Sequence, residues 1–254
     1  MIKNILIGIK SYGGSLKLIS ELKLWNYFYI PVVISLITAV IIGFAAFSLS
    51  TPIGNFIANI WVWGYGKDIF ISFSTVIGAI LVLIIGLIVY KHIILALSAP
   101  FMSPVSEKIE KHILGTDIHS HTNSNFSEQL WRGIKINARN LGKELLYTIP
   151  LLLLKFIPIV NIFSTIAVFL VQAYYAGFGG MDYTLERHLN YKESILFVKK
   201  NRGIAIGNGI VFMLFLLIPV IGILIVLPLS VTAASKKTIS ILNSNNNSNL
   251  LNIK

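Results

Sequence analysis

The side chains of this sequence that could do chemistry are mostly isolated cations beside long apolar segments. Arg139, Arg187 and Arg202 lie in polar segments that border apolar ones. A guanidinium group presents a planar fork of donors, which matches a tetrahedral oxyanion. These arginines are therefore candidates for binding an inorganic anion. For each of them alone, pairing with Glu186, Glu193 or the phosphate of a lipid is the simpler role.

One further cation lies inside an apolar segment. Lys155 is the one charged residue of the segment 145–178, and a predicted break of the helix follows it. Burying an ammonium group in a membrane costs free energy, so such a residue is by default a candidate for a functional role. The alternative is that Lys155 reaches the interface along a tilted or shallow helix.

The sequence lacks the groupings that catalysis or metal binding would need. It contains no cysteine, so thiol catalysis and thiolate metal sites are excluded. No nucleophile–base pair or phosphate-binding loop is evident, and His112, His119 and His121 have no carboxylate at ligand spacing. We expect a protein that is not an enzyme and that has no cofactor or metal site. The net charge of +11 comes from basic residues flanking apolar blocks, which does not indicate a nucleic-acid partner.

The composition predicts an all-α integral membrane protein. Apolar residues make up 55% of the chain and charged residues only 12%, with a mean hydropathy of +0.78, whereas a soluble domain is about 25% charged. The segments 27–49 and 69–97 are each long enough to cross a hydrocarbon core of ~30 Å. Lys91 and His92 lie near the end of the second segment, where they can snorkel to the interface.

Two later apolar segments, 145–178 and 204–234, are interrupted near their middles by proline. The residues that mark the two breaks are Pro158 with Asn161 and Pro219 with Gly222. Proline breaks a helix, and Asn and Gly tolerate the turn that follows. Limbs of about 15 residues are ~23 Å long, enough to enter a bilayer but short for crossing it. We predict two re-entrant helical hairpins, with four short spans in a thinned bilayer as the alternative.

Polar segments flank and connect these apolar ones. The segment 1–24 predicts an amphipathic helix at the interface, 105–143 predicts polar helices, and 179–203 links the hairpins. Residues 1–240 are therefore expected to form a single membrane domain. The remaining residues, 241–254, are polar and of low complexity, which predicts disorder.

The charges of the polar segments predict the topology and one set of ion pairs. Lysine and arginine fill these segments, whereas the loop 50–68 contains one lysine, so the termini and the hairpin mouths are expected in the cytoplasm. Glu107 and Glu110 are expected to pair with Lys108, Lys111 or the basic helix 129–143. Such pairs would fix the polar helices to the membrane domain.

Several motifs resemble one family, the CysZ-type sulfate permeases of the etoposide-induced-protein superfamily. The motifs are Pro100-Phe101, the acidic run from Glu107 to Glu110, Asp182 to His188, Asn201 to Gly207, the two proline breaks and Pro228. The resemblance covers roughly residues 5 to 240. It implies a bacterial inner-membrane protein with two long spans and two hemi-penetrating hairpins. It also implies a homo-oligomer, surrounded by membrane lipid, that moves sulfate toward the cytoplasm.

One motif of that family is altered in this chain. Where the family has a Gly-Leu-Arg-Arg-type anion-binding sequence before the proline of the first span, this chain has Lys23-Leu24-Trp25-Asn26. Trp25 and Asn26 can supply only single neutral donors, and Lys23 is the one cation nearby. The resemblance implies that these three residues occupy the position of the substrate site.

The sequence thus predicts an anion permease or channel for sulfate or a related oxyanion. Because no acidic residue lies within the apolar segments, passive movement is favoured over a proton-coupled carrier. The alternative is a structural or membrane-shaping protein, since hairpins inserted from one leaflet act as wedges.

Overall fold

The computed structural model describes residues 1–59, 67–115, 125–218 and 221–251, and these residues are almost entirely helical. The α-helices are α1 (Ile2–Lys10), α2 (Ser15–Glu21), α3 (Trp25–Ala58), α4 (Lys67–Leu97), α5 (Ala99–Leu114), α6 (Phe126–Leu153), α7 (Pro158–Leu185), α8 (Tyr191–Lys200), α9 (Arg202–Leu216) and α10 (Ile221–Leu251). A short 3-10 turn, Leu154–Phe156, separates α6 from α7. Three residues considered above, Pro219, His119 and His121, lie outside the described residues.

Four helical segments in the described part of the chain are long and apolar enough to cross a membrane. They are Trp25–Ala58, Ile69–Leu97, Ile159–Leu185 and Leu224–Ser244. This confirms the predicted helical, multi-pass membrane architecture for the described residues, while the re-entrant insertion of the hairpins stays a prediction. The first segment extends beyond the predicted 27–49, because α3 continues through Pro52 to Ala58.

The first hairpin breaks beside its proline. Helix α6 ends at Leu153, and Ile157 adopts an extended conformation (φ −93°, ψ 114°) immediately before α7. Pro158 occupies the first turn of α7, where its missing N–H costs nothing. Both flanking helices have 28 residues, because each apolar limb continues into the polar segment next to it.

The second hairpin is formed by α9 and α10. Helix α9 ends at Leu216 and α10 begins at Ile221. A Cβ atom at Gly222 would collide with the carbonyl oxygen of Phe215, so this bend brings two backbone segments into contact. Helix α10 then continues to Leu251, whereas the composition of residues 241–254 predicts disorder.

The two hairpins pack backbone against backbone. A Cβ atom at Gly177 of α7 would collide with the carbonyl oxygen of Ala205, and one at Gly209 of α9 would collide with that of Ala173. Only glycine permits this approach, which fixes the distance between α7 and α9. Asn208 links α9 to α10, because its Oδ1 accepts a hydrogen bond of 3.1 Å from Ser230 Oγ.

The apolar surface is distributed as a bilayer requires. Buried side chains such as Ile94, Met102 and Phe212 fill the centre of the bundle, whereas Phe44 and Phe47 of α3 are among many large apolar side chains on its outside. In water such a surface would be an interaction or aggregation site. In a membrane it is the surface that faces lipid.

Candidate functional site

A cleft of about 740 Å³ opens between α6, α7, α8 and α9 and collects four basic side chains. They are Arg139, Lys143, Lys199 and Arg202. Arg139 and Arg202 were candidates on sequence grounds, and the fold brings them to one site from residues far apart in the chain. We call this site the basic cleft.

Local sequence signals define the helices that carry these cations. The N-termini of α6 and α8 both carry a capping box, formed by Asn125 with Glu128 and by Asn190 with Glu193. Lys199 lies in the last turn of α8, where a cation is favoured by the helix dipole. The short connection at Asn201 then places Arg202 in the first turn of α9.

The cations of the cleft are not neutralised by acidic neighbours. No acidic side chain is among the described residues that line it, and none of the four cations makes an ion pair with a residue that the structure describes. Arg139 is half-buried, donates a hydrogen bond of 2.8 Å to Asn140 Oδ1 and lies over the ring of Phe178 at 5.5 Å. Its other guanidinium donors make no hydrogen bond to a residue that the structure describes, so they can bind an anion.

Three tyrosines, Tyr147, Tyr174 and Tyr175, complete the polar part of the cleft. The rings of Tyr174 and Tyr175 meet edge to face with centroids 4.9 Å apart. Tyr174 is close enough to Arg139 and Arg202 to interact with both electrostatically. Phenol hydroxyls beside uncompensated cations are suitable neutral donors to an oxyanion.

A buried ion pair lies behind the cleft. Lys91 Nζ of α4 donates a 2.6 Å hydrogen bond to Glu144 Oε1 of α6, and His92 Nε2 lies 2.9 Å from Glu144 Oε2. The side chains of Lys91 and Glu144 are completely buried. The prediction that Lys91 and His92 snorkel to the interface is therefore wrong, because a carboxylate on the neighbouring helix satisfies both of them inside the bundle.

Sequence reasoning missed the role of Glu144. Its neighbour Lys143 points into the basic cleft, whereas Glu144 faces α4. One local signal was present in the sequence. Glu144 borders the apolar segment 145–178, and the two basic residues Lys91 and His92 lie near the end of the apolar segment 69–97. Glu144 is near enough to the cleft residue Tyr175 to interact with it electrostatically, and its pairing with Lys91 offsets the negative charge that would oppose a bound anion.

Arg187 was a candidate for anion binding, but the structure places it inside the bundle. It is buried and donates hydrogen bonds to Glu110 Oε2 at 2.8 Å and to Ser106 Oγ at 3.0 Å, and His188 Nε2 lies 2.6 Å from Glu110 Oε1. Arg187 pairs with Glu110, so the alternatives Glu186 and Glu193 are wrong. The expected partners of Glu110, on its own helix or in the basic helix 129–143, are also wrong, because the turn that follows α7 supplies both contacts.

The carboxyl groups around the end of α7 are perturbed in opposite directions. Burial alone would raise the pKa of Glu110, but the contacts with His188 and Arg187 outweigh it and hold that pKa below its ordinary value. Burial, reinforced by the charge of Asp182, raises the pKa of Glu186 to about 8. Asp182 itself pairs with Arg132 at 3.0 Å. This cluster joins α5, α6 and α7 and holds α7 in register.

The residues before the first span are separate from the basic cleft. Lys23, Trp25 and Asn26 are exposed, and none of them lines it. Lys23 has a positive φ of 53° at the turn between α2 and α3. Trp25 Nε1 donates a 3.3 Å hydrogen bond to Ser20 Oγ, which uses the donor proposed for an anion.

The other candidate residues lie along the hairpin and on α5. Lys155 is half-buried within the 3-10 turn, and Asn161 is exposed and accepts a 3.3 Å hydrogen bond from Thr165. Glu107 is exposed on α5. None of these lines the basic cleft, and the described residues contain no group of three or more potential metal ligands.

The sequence matches known proteins over most of its length. The family model described as Sulfate transporter CysZ/Etoposide-induced protein 2.4 matches residues 12–226. The chain is 29% identical over 244 residues to the sulfate transporter CysZ of Pseudomonas aeruginosa strain LESB58, which covers 91% of this chain and 93% of that protein. It is 26% identical over 238 residues to the sulfate transporter CysZ of Pseudomonas fluorescens strain Pf0-1, with 91% and 92% covered. A match to the sulfate transporter CysZ of Vibrio cholerae serotype O1 strain O395 is 30% identical over 148 residues and covers 55% and 56%.

Proposed function

Because this chain belongs to the sulfate transporter CysZ/etoposide-induced protein 2.4 family, we propose that it is a bacterial inner-membrane permease for sulfate or a related oxyanion. The relatives described above are named sulfate transporters. The protein acts as a homo-oligomer embedded in lipid, with its termini and the basic cleft on the cytoplasmic side. This orientation follows from the concentration of lysine and arginine in the polar segments.

The single observation that carries the proposal is the convergence of uncompensated cations in the basic cleft. Arg139 and Lys143 come from α6, Lys199 from α8 and Arg202 from α9. A divalent tetrahedral anion is stabilised by several cations at once, and arginine can bind two of its oxygens. The cleft therefore collects and binds sulfate at the cytoplasmic mouth of the path.

The buried charges next to the cleft support this function without taking part in binding. Lys91 and Glu144 neutralise each other, so the bundle beside the cleft has no net charge from this pair that would attract or repel an anion. Transport through such a site is passive, and it depends on the local anion concentration that the cations maintain. Salt screens this effect over a Debye length of ~10 Å at 0.1 M ionic strength.

The proposal is tested by uptake of labelled sulfate into liposomes that contain the purified protein. We expect uptake well above that of empty liposomes, and we expect it to decrease as an inert chloride salt is added. No uptake by protein whose folding is confirmed by a cooperative melting transition would overturn the transport function and favour a membrane-shaping role.

A further inference from the structure

The basic cleft changes from polar to apolar along helix α7. Arg139 and Arg202 are close enough to Tyr174 to interact with it electrostatically, whereas Ala167, Leu170 and Val171 line the cleft roughly one to two turns earlier in α7. From Tyr175 to Ala167 the helix advances ~12 Å at ~1.5 Å per residue. This direction runs from the polar end of α7 toward Pro158, which lies deeper in the membrane in the topology proposed above.

A small inorganic anion uses only part of this surface. Sulfate would bind the cations and the tyrosine hydroxyls, and the apolar floor of the cleft would remain uncovered. Ile206 of α9 and Leu196 of α8 add further apolar side chains to the lining of the cleft. A molecule with an anionic head and an apolar chain covers both parts, so it would bury apolar surface that sulfate leaves exposed.

The position of the cleft identifies the source of such an amphiphile. Helix α7 is one of the four segments able to cross a membrane, and Tyr147, on the rim of the cleft, is exposed. Basic pockets between membrane helices on the cytoplasmic side bind anionic phospholipid head groups. Tyrosine is also enriched at the level of the head groups, where its ring is buried and its hydroxyl is solvated.

We infer that the basic cleft is a binding site for one anionic phospholipid of the surrounding bilayer. Its phosphate lies between Arg139, Lys199 and Arg202, and one acyl chain follows Ala167, Leu170 and Val171 along α7. The lipid site does not depend on the proposed transport function. A further consequence, which does rest on the proposed function, is that lipid and sulfate compete for the same cations.

A single bound lipid also connects three helices. Arg139, Lys199 and Arg202 belong to α6, α8 and α9, and α8 contacts the rest of the bundle less extensively than the others do. A ligand that binds only the folded protein raises its melting temperature by mass action. At a lipid concentration about 100-fold above Kd, the rise expected for a chain of this size is roughly 5–10 °C.

The test is the melting temperature of the detergent-solubilised full chain in micelles doped with phosphatidylglycerol or, at equal mole fraction, phosphatidylcholine. We expect only phosphatidylglycerol to raise it, in the native protein and in the control variant Lys192→Gln. Lys192 is an exposed cation of α8 that does not line the cleft. The double variant Arg139→Gln/Arg202→Gln should lose the rise, and so should Ala167→Phe, which fills the floor and keeps every cation.

Three results would overturn the lipid site. One is an undiminished phosphatidylglycerol effect in the double variant. Another is that the double variant loses the rise in melting temperature while Ala167→Phe keeps it in full, because the cleft would then bind only a head group and no acyl chain. The third is a rise caused by sodium sulfate, against sodium chloride at equal ionic strength, without a rise from phosphatidylglycerol, which would identify a site for free oxyanions.

Native mass spectrometry supplies a measurement that does not depend on the variants folding. The native protein should retain one phosphatidylglycerol molecule in preference to phosphatidylcholine, and equal retention of the two lipids would contradict the site. Sulfate uptake is measured separately, so the lipid site and the transport function can each fail without the other.

Discussion

The Nζ atom of Lys91 lies 2.6 Å from Oε1 of Glu144, and neither side chain has any exposed surface. The second carboxylate oxygen of Glu144 contacts His92 Nε2 at 2.9 Å. One acidic residue at the start of the first hairpin thus satisfies two basic residues at the end of α4. The pair joins α4 to α6 close to the cleft residue Tyr175, and it offsets the negative charge of Glu144 there.

Replacement of Lys91 by methionine is expected to destabilise the protein strongly. The variant leaves the Glu144 carboxylate buried without its ammonium partner, and breaking a buried pair in this way costs about 3–5 kcal/mol. The melting temperature in detergent should fall markedly for Lys91→Met. The double variant Lys91→Met/Glu144→Met should recover part of the loss, because no buried charge remains.

The exposed pair of Lys17 and Glu21, 3.6 Å apart, supplies the matched control. Lys17→Met should leave the melting temperature nearly unchanged, because surface ion pairs contribute little. Equal effects of Lys91→Met and Lys17→Met would show that the buried pair does not hold α4 and α6 together.

The close contact between the two hairpins predicts an asymmetry among glycine-to-alanine variants. A methyl group at Gly177 or Gly209 would collide with a carbonyl oxygen of the facing helix, and overpacking of this kind costs about 1–3 kcal/mol. A methyl group at Gly142 of α6 would meet no atom within 4 Å, so Gly142→Ala should stabilise by roughly 0.5–1 kcal/mol. Melting temperatures that rank all three variants alike would contradict the packing of α7 on α9.

Glu186 predicts a dependence of stability on pH. Its pKa is about 8 in the folded protein against an ordinary value of 4.5, so the folded state binds the proton more tightly than the unfolded state does. The free energy of unfolding should therefore fall as pH rises from about 5 to about 8, by up to ~1.4 kcal/mol per unit, and should level off above that.

The variant Glu186→Gln has no carboxyl group to titrate at this position and should lack that part of the slope. The measurement is the melting temperature of both proteins from acidic to mildly alkaline pH. Parallel curves for the two proteins would show that Glu186 is not held protonated by its buried surroundings.

Lys23→Ala should leave sulfate uptake unchanged. Lys23 is exposed, lies at the turn before α3 and does not line the basic cleft. Uptake by proteoliposomes of the variant and the native protein decides the question. A large loss in the variant would place the anion site before the first span, as the resemblance alone implies, and would exclude the cleft as the binding site.

Local chemistry predicted the parts of this structure that depend on neighbouring residues. The break at Pro158 follows from the missing donor of proline, and the apolar segments follow from hydropathy. The ion pairs could not be predicted in this way, because Lys91 and Glu144 are 53 residues apart and Arg187 and Glu110 are 77 apart. Only the packing of α4, α5, α6 and α7 brings these groups together.

The basic cleft, too, could be predicted from the sequence only in part. Arginine at positions 139 and 202 indicated an affinity for anions, and the residue type alone supports that much. That both side chains meet in one cleft depends on the glycine contacts between α7 and α9, whose partners lie on different hairpins. Arg187, which has the same residue type, is buried against Glu110, so charge alone could not separate binding residues from structural ones.

The most direct test of the basic cleft as the anion site is sulfate uptake by Arg139→Gln/Arg202→Gln in proteoliposomes of phosphatidylcholine, beside the native protein and Lys192→Gln. Each lost charge-assisted hydrogen bond is worth about 1.5–3 kcal/mol, or roughly tenfold or more in affinity. We predict that the double variant needs at least tenfold more sulfate for half-maximal uptake, while Lys192→Gln matches the native protein. A double variant that folds and takes up sulfate with unchanged concentration dependence would contradict the assignment of the basic cleft as the anion site.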